Sequence, residues 1–246
     1  MFGKKAALLK NFIFRGNKQI KSSPQEGYRV WAEHYDEEEN NLMLYYDNIL
    51  FRKLISGVEI AGKMILDFGC GTGRNWPTLR AQLPAKLIGC DISPEMLAKL
   101  HNKFTDAETY CIGDNKLPFI QNNKCDLIVS TLVIGHIREL YPLIEEWSRV
   151  LKERSDIILT DFHPALLSLG GTRTFKNEGK KYVIENHIHS VNSIESALAA
   201  CGFKQITLLQ KSIEDDVKEF YIKKNALHVY EKFKGVPFIF GMHVRR

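Results

Sequence analysis

The sequence predicts an α/β protein built on a largely parallel sheet. Short apolar runs recur along the middle of the chain, each followed by an amphipathic segment long enough for a helix, and this alternation is that of βαβ units. The runs at Cys125–Thr131 and Asp156–Thr160 are nearly continuous in apolar residues, as strands covered on both faces require. At 246 residues, with 44% apolar and 26% charged side chains, the chain has the size and composition of a folded globular domain, which excludes disorder and collagen-like repeats. No run approaches the roughly 18 apolar residues of a membrane-spanning helix.

Each element has its own local cause. Residues 1–24 form a basic N-terminal extension: Lys4, Lys5, Lys10, Arg15, Lys18 and Lys21 stand there with no acid, and Ser22-Ser23-Pro24 marks a boundary. Its apolar stretch Ala6–Phe14 reads as a surface-packed helical extension, a targeting peptide, or a helix lying on an anionic membrane surface. Outside this segment 28 bases face 29 acids, so the body of the protein is near neutral and no nucleic-acid partner is expected. Tyr28–Leu54 is patterned as helix, with an acidic patch at Asp36–Glu39. Met64–Phe68 is a strand running into glycines, Thr72–Gln82 a helix despite Pro77, and Lys86–Cys90 a strand. Ser93 is placed to cap the next helix, which runs to about Lys103 with Pro94 at its first position. Glu108–Ile112 is a strand, Cys125–Thr131 another, Ile137–Lys152 a helix, and Asp156–Thr160 a buried strand.

After Asp161 the rhythm changes. Thr172–Phe175 and Lys180–His187 flank Asn177-Glu178-Gly179 and read as a hairpin insertion. Val191–Cys201 is a helix stopped by Gly202, Phe203–Leu209 a strand, Glu214–Phe233 mostly helix, and Val236–His243 the closing strand. The organisation is thus the extension 1–24 and one domain over 25–246. Within that domain, residues 28–60 form a helical lid and 162–189 an insertion. The five cysteines show no CxxC spacing and read as free thiols of a reducing compartment, which argues for a cytoplasmic protein and against a zinc site.

The chemistry concentrates at Asp67-Phe68-Gly69-Cys70-Gly71-Thr72-Gly73, where the first strand of the sheet turns into a helix. Glycines there let the backbone turn tightly and approach a ligand, and the helix start offers free N–H groups. A dinucleotide fingerprint would need a fourth glycine where this chain has Arg74, which disfavours a nicotinamide or flavin oxidoreductase. Asp91 closes the second strand, twenty residues after Gly71, where an acid can accept hydrogen bonds from both ribose hydroxyls of a nucleoside or, by itself, cap the next helix.

These segments resemble the class I S-adenosylmethionine-dependent methyltransferases of small-molecule type. The resemblance rests on Ile65-Leu66-Asp67-Phe68-Gly69-Cys70-Gly71-Thr72-Gly73-Arg74, on Gly89-Cys90-Asp91-Ile92-Ser93-Pro94-Glu95-Met96-Leu97, and on Gly113-Asp114-Asn115-Lys116-Leu117-Pro118-Phe119. It continues in Asp126-Leu127-Ile128-Val129-Ser130 and Arg149-Val150-Leu151-Lys152, and covers about residues 28–161 in register. It implies a doubly wound, Rossmann-like sheet of seven strands whose last strand is antiparallel, and S-adenosylmethionine as the cofactor. It also implies that Gly69 and Gly71 lie under the methionine part, that Asp67 orients its amino group, and that Asp91 holds the ribose. Ile92 and Met96 would flank the adenine, with Asp114 on its amino group and Asn115 beside it; Asp114 is otherwise a turn residue. Gly27–Asp36 resembles the family's N-terminal helix, whose aromatics, here Tyr28 and Tyr35, cover the pocket; plain core packing is the other reading of that face.

The activity so implied is methyl transfer to a small-molecule acceptor at O, N or C, achieved mainly by positioning. A base is needed only for an acceptor that arrives protonated. The candidates are His163, expected to sit beside an acceptor pocket formed by the insertion, then His136 and His189; each also has a purely structural reading. Metal binding by His187 and His189 is disfavoured. Ser130-Thr131-Leu132-Val133 stands where an Asn-Pro-Pro-Tyr motif would mark amino-methylation of DNA bases or glutamine. The rival readings are an RNA methyltransferase using the basic segment as an arm, and a non-catalytic S-adenosylmethionine-binding protein. Peripheral membrane contact through residues 1–24 is a further expectation.

Overall fold

The computed structural model describes residues 19–37 and 41–246. Its centre is a seven-stranded sheet. The strands are β2 (Met64–Phe68), β3 (Lys86–Asp91), β4 (Glu108–Cys111), β5 (Cys125–Thr131), β6 (Leu151–Phe162), β9 (Lys204–Ser212) and β10 (Pro237–Arg245). They lie in the order β4-β3-β2-β5-β6-β10-β9. β10 runs antiparallel to both its neighbours, and the other pairings are parallel. The chain winds outward from β2 to β4 and then returns to β5 on the other side of β2. The carboxyl ends of β2 and β5 therefore flank a topological switch point, where open α/β sheets place their ligands.

Strand periodicity distributes the core over both faces. On β2, Leu66 and Phe68 join one cluster with Ile128, Trp147 and Met242, while Ile65 joins another with Phe51, Leu127 and Val129. Successive side chains alternate across a strand, so Asp67 shares the face of Ile65. The helices fall on the two faces accordingly. Those introduced here are α1 (Pro24–Trp31), α2 (Leu42–Ile55), α3 (Trp76–Arg80), α4 (Pro94–Lys103), α5 (Leu140–Val150), α6 (Pro164–Ser168), α7 (Val191–Ala200), α8 (Lys218–Lys223) and α9 (Leu227–Phe233).

Several elements differ from the sequence expectation, each for a local reason. The long N-terminal helical pattern is interrupted: Asn41 caps α2 by accepting from the Met43 and Leu44 amides at 3.0 and 3.3 Å, which starts a second helix. The helix expected over Thr72–Gln82 shrinks to α3, because residues 70–75 are consumed by the turn after β2. Leu151 pairs with Cys125, so β6 begins where the preceding helix was expected to continue. The stretch Glu214–Phe233 breaks into α8 and α9 at Asn225, whose φ of +51° no helix interior accommodates.

The insertion carries the expected hairpin, β7 (Arg173–Asn177) and β8 (Lys180–Ile184). Both central turn residues, Glu178 and Gly179, have positive φ, +47° and +71°, the type I′ geometry that matches strand twist. A third strand completes this small sheet: β1 (Gln19–Ser22) pairs parallel to β8. Gln19–Ser22, near the end of the basic segment, are therefore integrated into the fold. Residues 1–18, which carry the expectations of a targeting peptide or membrane-surface helix, lie outside the described residues. Among the described residues no helix is long and apolar enough to cross a membrane.

Candidate active site

A cavity of about 310 Å³ opens at the switch point. Its floor is the glycine turn after β2. The Gly69 amide donates to the Cys90 carbonyl at 2.8 Å and the Cys70 amide to the same oxygen at 3.0 Å, tying the turn to β3. Gly69 has φ +74°, and a Cβ there would stand 2.2 Å from Val133 Cγ2, so only glycine lets the turn pass under the loop after β5. Asp91 accepts from the Gly71 amide at 2.8 Å and from the Ser93 amide at 2.9 Å. It is 8% exposed, and burial pushes its carboxyl up in spite of those backbone hydrogen bonds.

Of the ten side chains or glycines expected to hold the cofactor, nine line this cavity: Tyr28, Tyr35, Gly69, Gly71, Asp91, Ile92, Met96, Asp114 and Asn115. Asp67 does not. It points behind the turn, where its Oδ2 accepts from the Trp76 indole nitrogen at 3.0 Å. Burial pushes its carboxyl up to about 7, against the opposing effects of the Trp76 hydrogen bond and the Arg74 charge. A carboxyl raised in the folded state binds its proton more tightly there than in the unfolded chain. The stability it contributes is complete below its ordinary value of 3.8 and is lost as pH rises through about 7. The variant Asp67→Asn has no such titration. Its melting temperature is expected to fall less than that of the wild type between about pH 4 and pH 8. Parallel melting curves for the two proteins across that range would contradict the burial effect.

The histidines separate. His136 lines the cavity. His163 lies outside the residues lining it: its Nδ1 accepts from the Ala165 amide at 3.1 Å and caps α6. His189 is also outside, its Nε2 donating to the Ile137 carbonyl at 2.7 Å. Among the described residues no group of three or more histidine, cysteine or acidic side chains is gathered as a metal site.

Two charged clusters escaped the sequence reading. Arg173, on β7 and only 1% exposed, pairs with Asp161 at the end of β6 at 2.6 Å. Through its other terminal nitrogen it reaches the Tyr28 hydroxyl at 2.8 Å, the Leu132 carbonyl at 2.5 Å and His136 Nε2 at 2.8 Å. The signal was faint but present: Arg173 alternates with the buried Phe175, so it had to face inward as well. Phe175 in turn stacks on Trp31 of α1, with ring centres 4.8 Å apart, which fastens α1 to the insertion. The second cluster lies beneath the turn, where the fully buried Asp47 of α2 accepts from both Arg74 and Thr160. The residue that spoiled the dinucleotide fingerprint is thus tied to α2.

Comparison with known proteins agrees with this geometry. Residues 66–159 match the family described as "Methyltransferase domain". The ribosomal protein L11 methyltransferase of Mannheimia succiniciproducens is 29% identical over 146 residues, which is 53% of this chain and 47% of that protein, so the chain spans about half the length of this relative. The crystal structure of an S-adenosylmethionine-dependent methyltransferase from Mesorhizobium loti superimposes with a TM-score of 0.60 at 18% identity, covering 80% of this chain and 97% of the other. The geranyl diphosphate C-methyltransferase of Streptomyces coelicolor, solved with S-adenosyl-L-homocysteine, gives 0.62 at 14% identity over 88% of this chain and 85% of its own. Residues 66–159 thus match a methyltransferase domain, and the fold is shared with solved S-adenosylmethionine-dependent methyltransferases. Of those two solved structures, one is named for its dependence on S-adenosylmethionine and the other holds S-adenosyl-L-homocysteine.

Proposed function

We propose that this protein transfers the methyl group of S-adenosylmethionine to a small-molecule acceptor, by positioning more than by acid–base chemistry. The observation that carries the reading is one cavity lined by separate parts of the chain: the glycine turn, Asp91 at the end of β3, Tyr28 and Tyr35 near the N-terminus, and the loop after β5. The cavity's chemistry suits the cofactor. Asp91 keeps lone pairs for two ribose hydroxyls after accepting from Gly71 and Ser93, and Ile92, Met96 and Ile112 offer apolar surface for a flat base. Asp114 stands farther along the same wall. S-adenosylmethionine brings a methyl group already activated as a sulfonium, so the protein has to align an acceptor and exclude water. Small-ligand sites span roughly 300–1,000 Å³, and this cavity lies at the low end of that range. The near-neutral body of the chain favours a small acceptor over RNA.

Titration calorimetry tests the cofactor assignment. S-adenosylmethionine and S-adenosylhomocysteine are expected to bind once per chain, and NADH not at all. Asp91→Ala is expected to weaken S-adenosylmethionine by roughly 1.5–3 kcal/mol, the scale of hydrogen bonds to a charged group. Equal affinity in wild type and variant would remove Asp91 from the ribose.

A further inference from the structure

His136 lines the cavity, and its protonation is fixed by what surrounds it. Its Nδ1 is 3.0 Å from the Glu185 carbonyl oxygen, which can only accept, so Nδ1 carries a hydrogen. Its Nε2 is 2.8 Å from a terminal nitrogen of Arg173, whose positive charge and N–H groups offer no acceptor for a hydrogen on Nε2, so Nε2 carries none. The Tyr28 hydroxyl, 3.0 Å from the same Nε2, donates its hydrogen there while accepting from Arg173. A proton added to Nε2 would set an N–H against a guanidinium N–H.

We propose that Arg173 is a positioning residue that holds His136 as the neutral imidazole protonated at Nδ1, so that His136 anchors the Tyr28 hydroxyl and takes no proton from the acceptor. The inference rests on the methyl-transfer reading only for its mention of an acceptor. Under it, the acceptor's lone pair forms the bond to the methyl carbon, the electrons of the methyl–sulfur bond stay on sulfur, and any proton leaves the acceptor to solvent rather than to this histidine. The groups facing His136 agree from each side. Arg173 comes from β7, Tyr28 from α1, the Glu185 carbonyl from the residue after β8, and His187 adds a weak repulsion of positive charge. Asp161 faces Arg173 rather than the ring, and its carboxylate also accepts from the Gly135 and Phe162 amides. Burial, then Arg173, depress the His136 pKa well below the usual histidine range, in the direction the donor–acceptor geometry requires.

Nitrogen NMR of the full-length protein labelled in histidine tests this, with the His136 signals identified by their loss in His136→Gln. In the wild type Nδ1 is expected to be protonated and Nε2 bare from about pH 5 to pH 8, with and without S-adenosylhomocysteine. Burial alone selects no tautomer, so the wild-type spectrum already decides the geometry. A ring protonated at Nε2, or one titrating near its ordinary value, overturns the proposal. The paired variant Arg173→Met with Asp161→Asn leaves no unpaired buried charge; in it His136 is expected to begin protonating at a higher pH than in the wild type, since burial remains and the Arg173 charge is gone. A folded paired variant in which His136 begins protonating at the same pH as in the wild type would take the role away from Arg173. Failure of S-adenosylhomocysteine to bind defeats the methyl-transfer reading instead and leaves the histidine spectrum legible.

Discussion

Replacing Asp47 by alanine is expected to destabilise the protein by about 3–5 kcal/mol, the cost of leaving a buried charge without its partner. Asp47 is fully buried in the middle of α2 and accepts from Arg74 and Thr160. Its loss strands the Arg74 guanidinium beneath the glycine turn and removes the acceptor of a buried hydroxyl. In a chain of this length each kcal/mol is worth about 2–4 °C, so the melting temperature should fall by about 6–20 °C. The variant Asp47→Leu combined with Arg74→Met should fall less, since no charge is left unpaired. Scanning calorimetry checks both. A change under about 2 °C for Asp47→Ala would show that the pair does not bind α2 to the turn.

The other large effect is on ligand affinity. Gly69→Ala is expected to lower S-adenosylhomocysteine affinity by on the order of 100-fold, about 2.7 kcal/mol. Two costs combine at this position. The backbone has φ +74°, where a side chain is strained by about 1–2 kcal/mol, and the new methyl would sit 2.2 Å from Val133 Cγ2. Val133 lines the cavity with Gly69, so relief of the clash deforms the ligand's own walls. Adding Val133→Ala should restore part of the affinity, because the two positions share the contact. Unchanged binding by Gly69→Ala would mean that the turn yields without disturbing the site.

The fold was legible wherever one local cause sufficed. Apolar runs ending in glycine gave β2, the Ser93 cap gave the start of α4, and Glu178-Gly179 gave the hairpin turn. Boundaries failed where tertiary pairing overrode local pattern, as at Leu151, which reads as the end of an amphipathic helix but pairs with Cys125. β1 was hidden for a similar reason: four residues of a basic segment become a strand only because the edge of β8 is available. The wall of the cavity could be read from local sequence because the glycine turn and Asp91 act at the ends of adjacent strands. Arg173 and Asp47 could not. Their partners lie at distant positions, Asp161 and Tyr28 for one, Arg74 and Thr160 for the other, and nothing in the neighbouring sequence announces a buried charge's counterpart.

The central claim is that the methyl group passes to a small molecule. The most direct measurement incubates the protein with methyl-labelled S-adenosylmethionine and a cell extract, then separates products into small-molecule, protein and RNA fractions. The label is expected in the small-molecule fraction, and there it should fall sharply when Gly69→Ala replaces the wild type. Label recovered in protein or RNA, dependent on the same wild-type turn, would contradict the account.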